Sequence, residues 1–576
     1  MKKSIKKFKL LIIAILIGSY AIVSYSFVDN YFEVSKNLDI FATLFRELNI
    51  YYVDNTNPGE LMKKGIDEML ESLDPYTNYI PESEIEDYRY MTTGQYGGVG
   101  ALIRQQGDYV VISEPYEGFP AQKADLRAGD KILKINDVDV KGKKTDEISK
   151  FLKGQASTTI KLLIEREGEK KPIEKLLSRE EIKIKNVSYA AMVSPEVGYI
   201  KLTGFTENAA EEVKTALLEL KKKPELKSLV LDLRGNPGGL LKEAVDIVNI
   251  FTEKGTEVVS TRGKVKDWDK SHIALNNPVD THIPMAVLVD RGSASASEIV
   301  SGSIQDLDRG VIVGQRSYGK GLVQQTRPLS YNAQLKVTVA KYYTPSGRCI
   351  QALDYSHRNE DGSVAKVPDS LISPFKTKNG RIVYDGGGIA PDIAIEPIQY
   401  SSILTSLAIK NLIFDYATKY YIAHPTIATA KEFKLSDSEY TDFVAFLADK
   451  EYDYVTKTEK AIDELKLAAK DDKSKDIIDS DIDALKAKII HNKKDDVIQH
   501  KEEIKQYLEE EIASRYYFQK GRLESSFKDD KELTAAITVL KSTPDYTKIL
   551  TTINKIDKPS NSSNDKQRKL KAMKGS

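Results

Sequence analysis

DRGSASASEIVSGSIQDLDRGVIVGQRSYGKGLVQ, residues 290–324, is the stretch whose reading decides the fold. The apolar run before it, Met285–Val289, reads as a strand. Ser295–Gln305 reads as the helix that follows, and Val311–Gly314 as the next strand. Strand, helix and strand in this order make the unit of a layered α/β sheet with crossover helices. The turn Gly292-Ser-Ala-Ser-Ala-Ser297 offers three hydroxyls, and Lys320 stands between two glycines 25 positions after Ser295 (320 − 295), with no His between them. Serine is a weak nucleophile that needs a base. Lysine can serve when burial disfavours its ammonium form. The stretch therefore predicts a serine hydrolase with a lysine base. Gln324, four residues on, shares a face with Lys320 in a strand or a helix, and a neutral amide there orients the amine without holding it charged.

Working outward, Gly198–Leu202 and Ser228–Leu233 read as further strands, and Asn208–Lys223 and Leu240–Phe251 as helices. Residues 335–343 add a β-branched strand. Strand Ser228–Leu233 ends in Arg234-Gly-Asn-Pro-Gly-Gly239, a Gly-rich turn that opens a helix. Its backbone N–H groups can face an anion. In a hydrolase they would suit an oxyanion, together with the amide after the nucleophile. Alternatives stay open at this level. The serine turn also fits a capped helix N-terminus, the Gly-rich turn also fits a plain βα connection, and chemistry does not choose among Ser293, Ser295 and Ser297. Gly314-Gln-Arg-Ser-Tyr-Gly319-Lys320 fits G-x-x-x-x-G-K, but a phosphate loop then needs Ser or Thr, and Gly321 stands there. None of the six histidines lies in a motif with an Asp and the serine turn.

Residues 29–92 read as helical, with Leu38, Phe41, Leu44, Phe45 and Leu48 at helix spacing, broken by a turn at Leu73-Asp-Pro-Tyr76. Residues 93–168 read as a small module of mixed short strands and two helices, entered through Tyr96-Gly-Gly-Val-Gly-Ala-Leu102. After residue 400 the chain becomes helical and charge-rich, with an apolar stripe at Leu404, Leu407, Ala408, Leu412 and Tyr416. From Lys558 it is polar and reads as disordered.

Composition narrows the class. The 576 residues suffice for several domains. Balanced charge, 85 basic against 85 acidic, gives no field for nucleic acid. The single cysteine, Cys349, excludes an internal disulfide, a Cys-based zinc cluster and an N-terminal lipid anchor. Lys2, Lys3, Lys6, Lys7 and Lys9 precede the 19-residue apolar run Leu10–Val28. That pattern reads as a signal peptide or a membrane anchor, with the lysines cytoplasmic and the body exported to the periplasm.

Together these pieces resemble the carboxy-terminal-processing, or tail-specific, serine proteases. The residues that carry the resemblance are Leu73-Asp-Pro, the Gly-Gly-Val-Gly turn, Asp232-Leu-Arg-Gly-Asn-Pro-Gly-Gly239, Gly292-Ser-Ala-Ser-Ala-Ser-Glu298, Tyr318-Gly-Lys-Gly321, Tyr343-Thr-Pro-Ser-Gly-Arg348 and Gly388-Ile-Ala-Pro-Asp392. They occur in the family's order across roughly residues 40–395. The resemblance implies Ser295 as nucleophile, Lys320 as base supported by Gln324, and an oxyanion hole from Gly238 or Gly239 with the amide of Ala296. It implies a PDZ module whose Gly98, Val99, Gly100 and Ala101 receive a substrate's C-terminal carboxylate while the tail adds as a strand. Tyr76 stands where the family pattern has His, in a turn expected to be structural.

The expected architecture is an α/β multidomain chain. It comprises a signal or anchor (1–28), an N-terminal helical region (29–92), a PDZ-like tail-binding domain (93–168), a protease core (169–398), a C-terminal helical domain (399–557) and a disordered tail (558–576). The helical domain would be a dimer arm or a platform for an adaptor. No metal, nucleotide or other cofactor is expected. A non-catalytic tail-binding adaptor on the same scaffold is the alternative function.

Overall fold

The computed structural model describes residues 31–471, 479–485 and 493–552. The segments read as signal or anchor and as polar tail lie outside the described residues.

The α/β core is built on a six-stranded sheet in the order Val187–Ser194, Val197–Leu202, Ser228–Asp232, Met285–Val289, Val311–Gly314 and Ile393–Ala394. The first pair is antiparallel and every later pair is parallel. Its central strands are continuous apolar runs because both faces are covered. Leu229, Leu231, Met285, Val287, Val289 and Ile312 pack against helices Ala209–Lys221, Leu241–Phe251 and Ala296–Asp306. The alternate residues Val230, Ala286, Leu288, Val311 and Val313 face Leu533, Ala536, Val539 and Leu540. Those four come from helix Lys531–Lys541, which with Thr543–Thr551 closes the second face. The sequence reading places these helices in the C-terminal helical domain. An apolar stripe tells that a helix packs, not what it packs on.

A second sheet flanks the first. Strand Gln334–Tyr343 pairs with Asn78–Ile80, with Glu257–Gly263 and, as a hairpin, with Leu322–Pro328. The N-terminal region thus contributes a strand to the sheet that carries the lysine loop. Asp74 makes the preceding turn rigid: its carboxylate accepts the N–H groups of Tyr76 (2.8 Å) and Thr77 (2.9 Å) and the Thr77 hydroxyl (3.0 Å). Helix 31–51 is present with the expected spacing, but Leu38, Phe41, Leu44 and Leu48 are all exposed.

The small module is a sheet of Ala101–Gln106, Tyr109–Pro115, Lys131–Ile135, Thr159–Glu165 and Ile173–Ser178, closed by helix Thr145–Leu152 around Val110, Ile112, Ile132, Ile148, Ile160 and Leu162. The sheet runs beyond residue 168, through its fifth strand. Where the chain enters and leaves the module, Gln95–Gly98 pairs with Glu180–Lys183, so a two-stranded neck joins it to the core. Helices Leu412–Ala423 and Lys501–Ser526 of the helical domain dock on the module. Phe414 lies between the guanidinium groups of Arg104 (3.3 Å) and Arg515 (4.2 Å), and Gln106 donates to Asp415 (2.9 Å).

Candidate active site

The three serines of the turn, equivalent in sequence, have different fates. Ser293 is fully buried, and its hydroxyl donates to the Leu233 carbonyl (2.9 Å) while accepting from the Asp290 N–H. Ser297 is fully buried and donates to the Asn236 carbonyl (2.8 Å). Ser295 is only partly buried and opens on a cavity of about 910 Å³. It is the N-cap of helix Ala296–Asp306, at φ 56° and ψ −112°, a conformation an L residue holds only when its surroundings impose it. A serine at a strained strand-to-helix turn presents its hydroxyl outward.

Glu298 does most of the imposing. It is completely buried, and its carboxylate accepts four bonds. These come from the N–H groups of Ser295 (2.8 Å), Gly319 (2.7 Å) and Lys320 (2.9 Å) and from the Ser317 hydroxyl (2.5 Å). One side chain therefore fixes the Ser295 backbone to the Lys320 backbone. Burial pushes its carboxyl upward, against the pull of those donors. Sequence reasoning passed over Glu298, although Ser-x-x-Glu at a helix start is a capping-box signature. Tyr342 adds a second tie, its hydroxyl shared between the carbonyls of Lys320 (2.6 Å) and Ser295 (3.1 Å).

Lys320 reaches the same cavity. Its amine makes no ion pair among the described residues, and it falls to about 8, first through burial and then through the like charge of Lys336; Asp74 and Glu298 oppose the fall. Its nitrogen lies 4.2 Å from the centre of the Tyr76 ring. The turn expected to be only structural thus touches the candidate base. Gln324 lines the cavity too, but its amide donates to Thr338 (3.2 Å) and not to Lys320. Thr338 N–H donates to the Thr77 hydroxyl (3.2 Å), so Gln324 is tied to the turn that carries Tyr76.

The Gly-rich turn divides into scaffold and site. Asp232 and Arg234 pair in the buried base of the turn, and Arg234 continues to Asp530 (2.7 Å) and Glu532 (3.1 Å) at the start of the helix on the sheet's second face. Asn236 donates to the Leu202 carbonyl (2.9 Å), and its side-chain oxygen takes the Gly238 N–H (2.9 Å). Gly238, at φ +97°, comes so close to Ser295 and Ala296 that a Cβ there would lie 2.8 Å from the Ala296 nitrogen. With the Gly238 N–H engaged, the N–H groups of Gly239 and Ala296, residues that both line the cavity, donate to no protein group among the described residues.

In the small module, Gly98 ends the neck strand, and Val99 is buried in the module's core. Gly100 sits at φ +73° against Phe119, and Ala101 begins the edge strand beside helix Thr145–Leu152. An edge strand next to a helix is a groove to which an extended peptide can add. No cluster of metal-ligating residues occurs among the described residues.

Comparison with known proteins agrees with this architecture. Residues 196–357 match the model of peptidase family S41 and residues 111–166 that of a PDZ domain. Residues 403–540 match the C-terminal helical domain of a probable PDZ-protease. The carboxy-terminal-processing protease of Bartonella bacilliformis is 38% identical over 321 residues, covering 55% of this chain and 73% of that protein. A probable CtpA-like serine protease of Staphylococcus aureus is 35% identical over 353 residues, covering 59% of this chain and 70% of that one. Among solved structures, the photosystem II D1 C-terminal processing protease aligns at 28% identity over 62% of this chain and 86% of its own, with a TM-score of 0.33.

Proposed function

This chain belongs to the carboxy-terminal-processing serine proteases of peptidase family S41 and carries a PDZ domain, and from that premise we propose that Ser295 and Lys320 are its catalytic dyad. The observation that carries the reading is that the partly exposed Ser295 and the burial-lowered Lys320, whose backbones Glu298 ties together, open on one cavity; Lys336, the other burial-lowered lysine there, has no such tie to Ser295. Ser295 Oγ attacks the scissile carbonyl while the neutral Lys320 amine takes its proton. The N–H groups of Ala296 and Gly239 donate to the oxyanion that forms. When the tetrahedral intermediate collapses, the Lys320 ammonium returns the proton to the leaving amine. An acyl-enzyme on Ser295 remains, which water hydrolyses by the same route in reverse order. Gln324, held by Thr338, buttresses the lysine's side of the cavity.

The substrates in this reading are exported polypeptides. Their C-terminal carboxylates sit at Gly98, Val99, Gly100 and Ala101, and their tails lie along strand Ala101–Gln106. The Lys-rich start and the apolar run that follows support a periplasmic body, soluble after cleavage or anchored in the inner membrane. Among the described residues no helix is long and apolar enough to cross a membrane. The test is cleavage of an unfolded protein with an apolar C-terminus by the full chain and by Ser295→Ala and Lys320→Ala. Loss in both variants, with tail binding retained, is expected. Undiminished cleavage by either variant overturns the dyad.

A further inference from the structure

One side chain against the Lys320 nitrogen that the cleavage reading leaves without a role is Tyr76. Its ring centre is 4.2 Å from that nitrogen. It is not there by accident of a loose loop. Asp74 fixes the Tyr76 backbone, Tyr355 packs edge-on against its ring at 6.1 Å between centres, and its hydroxyl meets that of Tyr318 (3.4 Å). Among the described residues no carboxylate pairs with Lys320, and Gln324 spends its amide on Thr338. We propose that Tyr76 is a positioning residue for Lys320, its ring seating the lysine nitrogen beside the cavity and keeping water off it. The proposal rests on Lys320 being the base.

An aromatic ring acts on a lysine in two opposing senses. Its π face attracts an ammonium, and its bulk displaces the water that would solvate one. The proposal assigns the ring to the second effect, in keeping with burial as the leading cause of the low Lys320 value. The charged groups facing the amine are Lys336, which pushes it down, and Asp74 and Glu298, which pull it up. Both carboxylates are engaged by several donors. Burial raises the phenols of Tyr76 and Tyr355, so the wall stays uncharged across the range in which Lys320 titrates. Removing the ring lets water reach the ammonium, and the amine then titrates at higher pH.

The test uses the full chain and two independent readouts. The first is the pH dependence of kcat/KM on a peptide substrate. The second is competitive acetylation of Lys320 against pH, read by mass spectrometry in a Ser295→Ala background, which needs no activity. For Tyr76→Ala both midpoints should rise by about one pH unit, which costs about tenfold in kcat/KM near neutral pH. KM should hold. Tyr76→Phe, which keeps the ring, should keep the midpoints; Tyr76→Leu fills the space and substitutes for the alanine variant if that one melts early. A midpoint that stays put without the ring, or moves down as it would if cation–π attraction dominated, overturns the proposal. If Lys320→Ala cleaves normally, the dyad reading falls, while the acetylation midpoint still decides whether Tyr76 sets the state of Lys320.

Discussion

Replacing Glu298 by glutamine tests how the site is assembled. One carboxylate oxygen holds the N–H groups of Ser295 and Lys320, the other the Gly319 N–H and the Ser317 hydroxyl. Glutamine keeps the shape but turns one end into a donor. Its better orientation aims the amide nitrogen at Ser317, whose hydroxyl can turn to accept, and leaves the Gly319 N–H without an acceptor. A buried donor left unpaired costs about 1–3 kcal/mol, and each bond to a charged acceptor loses roughly 1 kcal/mol when the charge goes. Relief of the carboxylate's own burial offsets part of this, so a net loss of about 2 kcal/mol is expected. At roughly 2–4 °C per kcal/mol for a domain of this size, Tm of the protease domain should fall by about 4–8 °C. Activity should fall further, about 100-fold, because Glu298 sets the spacing of nucleophile and base. Calorimetry and kcat/KM on a peptide, measured well below Tm, give both numbers. A variant that melts early yet keeps full kcat/KM would refute the claim that Glu298 joins the two catalytic segments.

The other expectations are as direct. If the neutral form of Lys320 is the base, as proposed, kcat/KM should rise with pH through a midpoint of about 8 and be lost below it; a profile flat through that range contradicts the assignment. Gly238→Ala would put a methyl group 2.8 Å from the Ala296 nitrogen in a backbone conformation that disfavours it. Peptide hydrolysis should drop by about 10²–10³-fold, as for a lost oxyanion donor, while tail binding to the PDZ domain is unchanged. Arg348 and Asp306, both essentially inaccessible and 2.8 Å apart, tie the Tyr343–Arg348 turn to the end of the nucleophile's helix. Arg348→Met leaves Asp306 buried without its partner and should cost about 3–5 kcal/mol in denaturant unfolding. Gly100→Val places a branched side chain at φ +73° against Phe119 and should weaken binding of an apolar tail peptide, measured by fluorescence anisotropy.

What the sequence made legible follows from local physics. The strands of the core show as unbroken apolar runs because both faces of their sheet are covered, and the turn glycines mark where the chain must bend sharply. The serine and lysine showed through their unusual neighbours. The hidden features are contacts between distant segments. Nothing at Leu533 or Val539 says that they cover Leu288 and Val313, and nothing at Tyr76 says that it faces Lys320. The residues' own chemistry did not choose among the three serines; the resemblance pointed to Ser295, and the fold adds the physical reason, since carbonyls that other loops bring to them engage the hydroxyls of Ser293 and Ser297. The fifth strand of the PDZ sheet, Ile173–Ser178, has only Leu177 buried, and with so charged and half-exposed a sequence it fell on the protease-core side of the boundary drawn at residue 168.

The most direct test of the dyad is labelling of the intact chain with a fluorophosphonate, a reagent that captures only an activated serine, followed by peptide mapping. One adduct is expected, on Ser295, formed at a rate that rises with pH through about 8 and is abolished in Lys320→Ala. An adduct on another residue, or undiminished labelling of Ser295 without Lys320, would contradict the dyad.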